Sequence, residues 1–150
     1  MNWYKLSQSI ILYHGTSSIK LDHKFRYGGV IDSPSHWGSY RVAEYNADVV
    51  SDGDGGNPMV IRLDISRFDK NSFSVDRNST MKPLAYTLGK DEAYLSSNWK
   101  RGKETWQDSL RIYESVIYNQ PMPISEKDID MIHGIKPNNF QKYKRQYELV

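Results

Sequence analysis

The sequence predicts a single α+β domain, and three observations predict it. Met59 to Ser66 alternates at the strand period, with Ile61, Leu63 and Ile65 on one face and Val60, Arg62 and Asp64 on the other. Gly38 to Val50 switches to the helical period, with one stripe of Tyr40, Ala43, Ala47 and Val50 and a second of Val42, Tyr45 and Val49. Strand-like and helix-like segments then mix without the regular alternation of a doubly wound sheet. The 150 residues suit one domain with a real core, spanning residues 1–150, and no internal repeat is present.

In chain order, Met1 to Gln8 reads as a short helical lead-in, with Trp3, Tyr4 and Leu6 among polar neighbours. Ile10 to His14 is a short apolar run and reads as a buried first strand. Ser17 to Tyr27 is a polar stretch. Gly28-Gly29 then leads into an extended Val30-Ile31, and Ser33-Pro34-Ser35 breaks that run. The helix from Gly38 to Val50 is apolar on two sides, so both sides are expected to be covered by protein. Ser51 to Pro58 is rich in Asp and Gly and reads as a loop; its Asp-x-Asp pair lacks the closing glutamate of a calcium loop, so no metal is expected there.

Beyond the Met59–Ser66 strand, Arg67 to Arg101 shows no regular pattern apart from a short helix near Asp91 to Ser97. A stretch of that length in a compact domain is expected to be functional or to cover a sheet edge. Glu104 to Tyr113 is helical, with Trp106, Leu110 and Tyr113 on its buried side, and Ser115 to Tyr118 is a strand. After Pro121-Met122-Pro123 a helix start stands at Ser125. Asp128 completes a variant capping box there, and Ile124 and Ile129 form a hydrophobic staple. Met131 to Ile135 reads as a last strand and Asn139 to Leu149 as a closing helix.

Composition narrows the function classes. Apolar residues make up 38% and charged ones 25%, a soluble composition, and no apolar run nears the roughly 20 residues of a membrane helix. No basic stretch followed by an apolar core opens the chain, so the expected address is the cytoplasm. With no cysteine, disulfides and thiolate metal sites are excluded. A net charge of +2 is too balanced to argue for nucleic acid from bulk electrostatics. The basic residues Lys136 and Lys142-Tyr143-Lys144-Arg145 read as a solvated helix face. His23, His36 and His133 lack metal-ligand spacing and read as solvated or capping residues. Gly-x-Ser-x-Gly, Walker and Gly-x-Gly-x-x-Gly patterns are all missing, which removes the common hydrolase, kinase and dehydrogenase sites.

The most informative segment is Tyr13-His14-Gly15-Thr16-Ser17, where the first strand ends. A strand end holds an imidazole rigidly, and a glycine beside it lets the backbone approach a flat ligand closely. The hydroxyls either hold the turn or contact the ligand. A histidine bonded to backbone ahead of an ordinary turn accounts for the same residues. Trp37 beside Gly38 either lids a pocket or anchors the helix start.

Tyr13 to Ser17 resembles the first motif of the ADP-ribosyltransferase superfamily, whose members transfer ADP-ribose from NAD. Gly28-Gly29-Val30-Ile31 followed by Ala43-Glu44-Tyr45-Asn46-Ala47 is similar to its second motif, a strand and then a tyrosine-bearing helix. Asn57 to Leu63 is similar to the next family strand. Trp106 to Leu110, Ser115 to Tyr118 and Met122 to Ile124 are similar to the C-terminal part of small phage and bacterial relatives. The likeness runs in order from Leu12 to Ile129.

The resemblance implies a split antiparallel or mixed sheet with flanking helices. It implies NAD as a substrate, no metal, no membrane, and a macromolecular acceptor, protein or nucleic acid. His14 would bond the adenosine ribose and Gly15 would clamp the carboxamide through its backbone. Thr16 and Ser17 would shape the turn, with Tyr13 beside them, and Tyr45 would stack on nicotinamide. Tyr40 or Tyr27 would fill the place of a strand aromatic where this chain has Ile31. A catalytic carboxylate falls on Glu114, although counting back from Met122-Pro123 places Ser115 there instead. Such a carboxylate stabilises the positive charge that builds on the ribose as the nicotinamide bond breaks. The alternatives are a non-catalytic nucleotide- or partner-binding module of the same fold, or an NAD-dependent RNA 2′-phosphotransferase. The latter chemistry wants clustered arginines, and Arg26, Arg41, Arg62 and Arg111 are scattered.

Overall fold

The computed structural model describes residues 10–76 and 105–130. The expected N-terminal helix, the Asp91–Ser97 helix, the Met131–Ile135 strand, the Asn139–Leu149 helix, His133 and the C-terminal basic residues lie outside them. Within them the chain is α+β. Strands β1 (Ile11–Ser17), β3 (Ser35–Gly38), β4 (Pro58–Asp64), β5 (Phe73–Val75) and β6 (Ser115–Tyr118) form one sheet in the order β4-β1-β3-β6-β5. Every pairing in it is antiparallel. Strands β2 (Val30–Ile31) and β7 (Met122–Pro123) form a separate antiparallel ribbon. Three helices accompany them, α1 (Ser18–Arg26), α2 (Tyr40–Asp54) and α3 (Trp106–Tyr113).

Both faces of the central sheet are covered. On one, Leu12, Trp37, Ile61, Leu63, Val116 and Tyr118 join Ile31, Met122 and Ile124 of the ribbon in the main core. On the other, Ala43 and Ala47 of α2 pack on Val60, flanked by Tyr13 and Tyr40. Val60 is therefore fully buried, although β4 alternates as a half-exposed strand does; Arg62 is exposed and Asp64 partly so at the far end of that face.

Gly15 makes this second layer possible. A Cβ there would fall 1.9 Å from the Ala43 carbonyl oxygen and 2.7 Å from the Ala47 nitrogen. The space its missing side chain frees is filled by the α2 backbone.

The structure corrects several expectations. The polar stretch from Ser17 to Tyr27 contains α1, nucleated by the Ser17 hydroxyl, which accepts from the Lys20 N–H at 3.1 Å, and seated by buried Leu21. Its apolar side is narrow, so its period is faint. Helix α2 begins at Tyr40 behind the Ser39 cap, because Ser35 to Gly38 is spent on β3. It then continues through Asp54, where a loop is expected, and ends only at Gly55, whose φ of 78° terminates it in the left-handed form. The second stripe of the helix is covered only at its start: Val42 is buried, whereas Tyr45 and Val49 are 44% and 53% exposed. At Ser125 the capping box forms, but it caps a single 3-10 turn, Glu126–Asp128.

Candidate functional site

Strand β1 pairs with β4 along all seven of its residues, yet with β3 at one position, Tyr13 opposite Gly38. Past that pair a cleft of about 560 Å³ lies between the two strands. That size falls in the range of roughly 300–1,000 Å³ typical of small-molecule and cofactor sites. His14, Gly15 and Thr16 of β1 line one wall, and Ser35 and His36 of β3 the other. Lys20 and Lys24 of α1 and Asn46, Val49 and Val50 of α2 add to it, with Ile31 of β2 and Asp32 just after it.

His14 bridges the gap that the backbone leaves. Its Nδ1 stands 2.7 Å from the His36 carbonyl oxygen. A carbonyl only accepts, so Nδ1 carries the proton. Burial pulls the imidazole down to about 4, against the opposing pull of that hydrogen bond; repulsion from His36, Lys20 and Lys24 adds to the lowering. The ring is neutral at physiological pH, which leaves Nε2 with a bare lone pair and fixes it as an acceptor. Trp37 supports the ring at a centroid distance of 5.0 Å. It is itself buried in the main core, with Nε1 donating to Ser35 Oγ at 2.8 Å, so it neither lids the cleft nor anchors α2.

His36 has the opposite character. Its side chain is half exposed, and its Nδ1 stands 3.0 Å from Oδ2 of Asp76, which is 2% exposed. The same carboxylate oxygen accepts from Ser115 Oγ at 2.8 Å. Ser109 Oγ accepts from the Asp76 N–H at 3.0 Å and donates to the Ser115 carbonyl at 2.6 Å, tying β6, α3 and Asp76 together. The bond to Asp76 raises the His36 pKa above 6.5; burial opposes the rise and the attraction of the carboxylate adds to it. Two histidines thus share one cleft, one held neutral and one biased toward the cation.

The remaining residues of the predicted site are dispersed. Tyr13 meets Tyr40 edge to face, centroids 5.3 Å apart, in the layer under α2. Ser17 is fully buried; besides capping α1 it donates to Asp54 Oδ2 at 2.5 Å, so it holds the turn. Tyr45 does not line the cleft, to which α2 contributes Asn46, Val49 and Val50 instead. Glu114 follows α3 at a φ of 57°, and its two carboxylate oxygens accept from Arg41 Nε and Nη2, each at 3.2 Å. It borders a separate groove with Leu12, Gly38, Trp106 and Leu110. Ser115, the alternative position, is buried on Asp76.

The His36–Asp76 pair was invisible in the sequence because its members stand 40 residues apart and meet only through strand register. Lys24 closes one rim of the cleft through an ion pair with Asp32. Among the described residues, no group of three or more histidine, aspartate or glutamate side chains is placed to hold a metal ion, and no helix is long and apolar enough to cross a membrane. No protein-family model, curated protein or solved structure matches the chain.

Proposed function

We propose that the cleft binds NAD and that the chain is an NAD-dependent ADP-ribosyltransferase, passing ADP-ribose to a macromolecular acceptor with release of nicotinamide. The observation that carries this reading is the fixed, neutral His14 with its Nε2 available as an acceptor. A ribose offers hydroxyl donors, which is what that atom recognises. Lys20 supplies positive charge for the diphosphate, and Ile31, Val49 and Val50 supply apolar surface for a flat ring. Tyr45 enters this reading as a ring on the α2 flank, and Thr16 as a hydroxyl beside His14.

A second reading has one observation in its favour. Glu114 is engaged by Arg41 beside a different groove, so the carboxylate expected for catalysis does not border the His14 cleft. On that reading the chain binds the dinucleotide without transferring it. Calorimetry with NAD, followed by chromatographic assay of nicotinamide, separates the two. Binding with nicotinamide release, both weakened in His14→Ala, supports the transferase. Binding without release selects the module, and no binding at all ends both readings.

A further inference from the structure

We infer, resting on the transferase reading, that His36 accepts the proton of the incoming acceptor group and that Asp76 is the residue that positions it. His36 lines the same cleft as His14 and stands on the opposite wall. Its backbone carbonyl holds His14, and its Nδ1 is committed to Asp76, so Nε2 is the ring atom left for chemistry. Burying a carboxylate is costly unless it is paired and hydrogen-bonded. Asp76 meets that condition through His36 and the Ser115 hydroxyl, and Ser109 fixes its backbone. The cleft-side product of this buried assembly is an imidazole with a set orientation and tautomer. A carboxylate behind a histidine is the arrangement that makes the ring an effective base.

The step balances. The acceptor atom, bearing a hydrogen, forms a bond to the ribose carbon that carries nicotinamide. The carbon–nitrogen bond to nicotinamide breaks, and its electron pair leaves with the ring, which departs neutral. The acceptor's proton moves to His36 Nε2, and Asp76 stabilises the imidazolium until the proton passes to solvent. Among the described residues, Asp76 stands behind the His36 ring, and the charged and titratable groups that share its cleft are His14 from β1, Lys20 and Lys24 from α1, and Asp32. The wall from α2 is uncharged, and Ile117 stands opposite on β6. His14 is already deprotonated above about 4, so a rise in rate with pH above 6.5 belongs to His36.

The experiment uses the full chain with NAD and compares water with azide, a nucleophile that has no proton to surrender at neutral pH. In His36→Gln, nicotinamide release to water is expected to fall by about 10²–10⁴-fold and to lose its rise with pH. Its NAD affinity by calorimetry should stay within about threefold of wild type. Azide should restore release in this variant to within about tenfold of the wild-type rate. Asp76→Asn, checked by circular dichroism for folding, should shift the pH limb downward. A His36→Gln enzyme with the wild-type rate and pH profile overturns the inference. So does one that binds NAD normally yet is not rescued by azide, or one that loses NAD affinity. A wild-type chain that releases no nicotinamide overturns the transferase reading itself, and the inference with it.

Discussion

The two walls of the cleft carry the same side chain in opposite electrostatic states. On the β1 wall, His14 is sunk beside Trp37 and its Nδ1 is bonded to a carbonyl, so burial wins and the ring stays neutral. On the β3 wall, His36 is half exposed and faces a buried carboxylate, so the ion pair wins and the ring is biased toward charge. Burial against partner decides the protonation state, and residue type alone does not. A ligand in this cleft therefore meets a fixed acceptor on one side and a proton carrier on the other.

The largest expected effect strikes the β1 wall through its backbone. Gly15→Ala places a methyl group 1.9 Å from the Ala43 carbonyl, and neither strand nor helix can yield without losing the layer between them. Denaturant unfolding should show a loss of about 3 kcal/mol or more, or no folded protein. An alanine variant of wild-type stability would mean that α2 does not lie on β1 at this point.

Acid titration of stability sharpens the contrast between the histidines. His14 titrates near 4 in the folded chain and near 6.5 when unfolded, so between those values the unfolded chain binds more protons. Its contribution is complete above 6.5 and is lost as pH falls toward 4, up to about 3 kcal/mol in all. His36 runs the other way: its pKa is raised, so its contribution is complete below 6.5 and fades as pH climbs through the folded value. In pH-dependent chemical denaturation, His14→Gln should flatten the acid limb and His36→Gln the upper one. If both variants change the same limb, the two walls are not electrostatically distinct.

On ligand binding, His14→Ala should weaken NAD by about tenfold, the worth of one well-placed hydrogen bond, with the fold retained. Calorimetry measures it directly. An unchanged affinity would remove His14 from the site.

How far these features were legible follows from how local their causes are. Strand β6 and the helix before it announce themselves within a few residues. Strand β1 does so only in part: it was expected to end at His14 but runs three residues further, to Ser17, because Gly15, Thr16 and Ser17 still pair with β4, so His14 stands within the strand and not at its end. Helix α1 hid because Leu21 is its one fully buried side chain and the cap that starts it, Ser17, was assigned to a turn. The last turn of α2 hid because Ser51 to Asp54 favours loops by composition, and the left-handed Gly55 ends the helix later than the period does. Contacts between distant segments were out of reach. His36 meets Asp76 and Arg41 meets Glu114 across 40 and 73 residues, and no spacing within either segment encodes them.

The smallest expected effect separates Glu114 from the cleft. Its ion pair with Arg41 is bidentate, but the arginine is largely exposed, so solvent screens most of the attraction. Glu114→Gln should cost about 1 kcal/mol or less in denaturant unfolding and leave NAD affinity unaltered. Its effect on nicotinamide release is the decisive reading, because the carboxylate stands at the C-terminal end of α3 and not among the residues around His14. Release at the wild-type rate makes Glu114 a structural clamp between α2 and α3, whose left-handed backbone turns the chain into β6. A fall of about 100-fold or more with binding intact would mean that the carboxylate reaches the sugar after all, and that the walls of the cleft move to admit it.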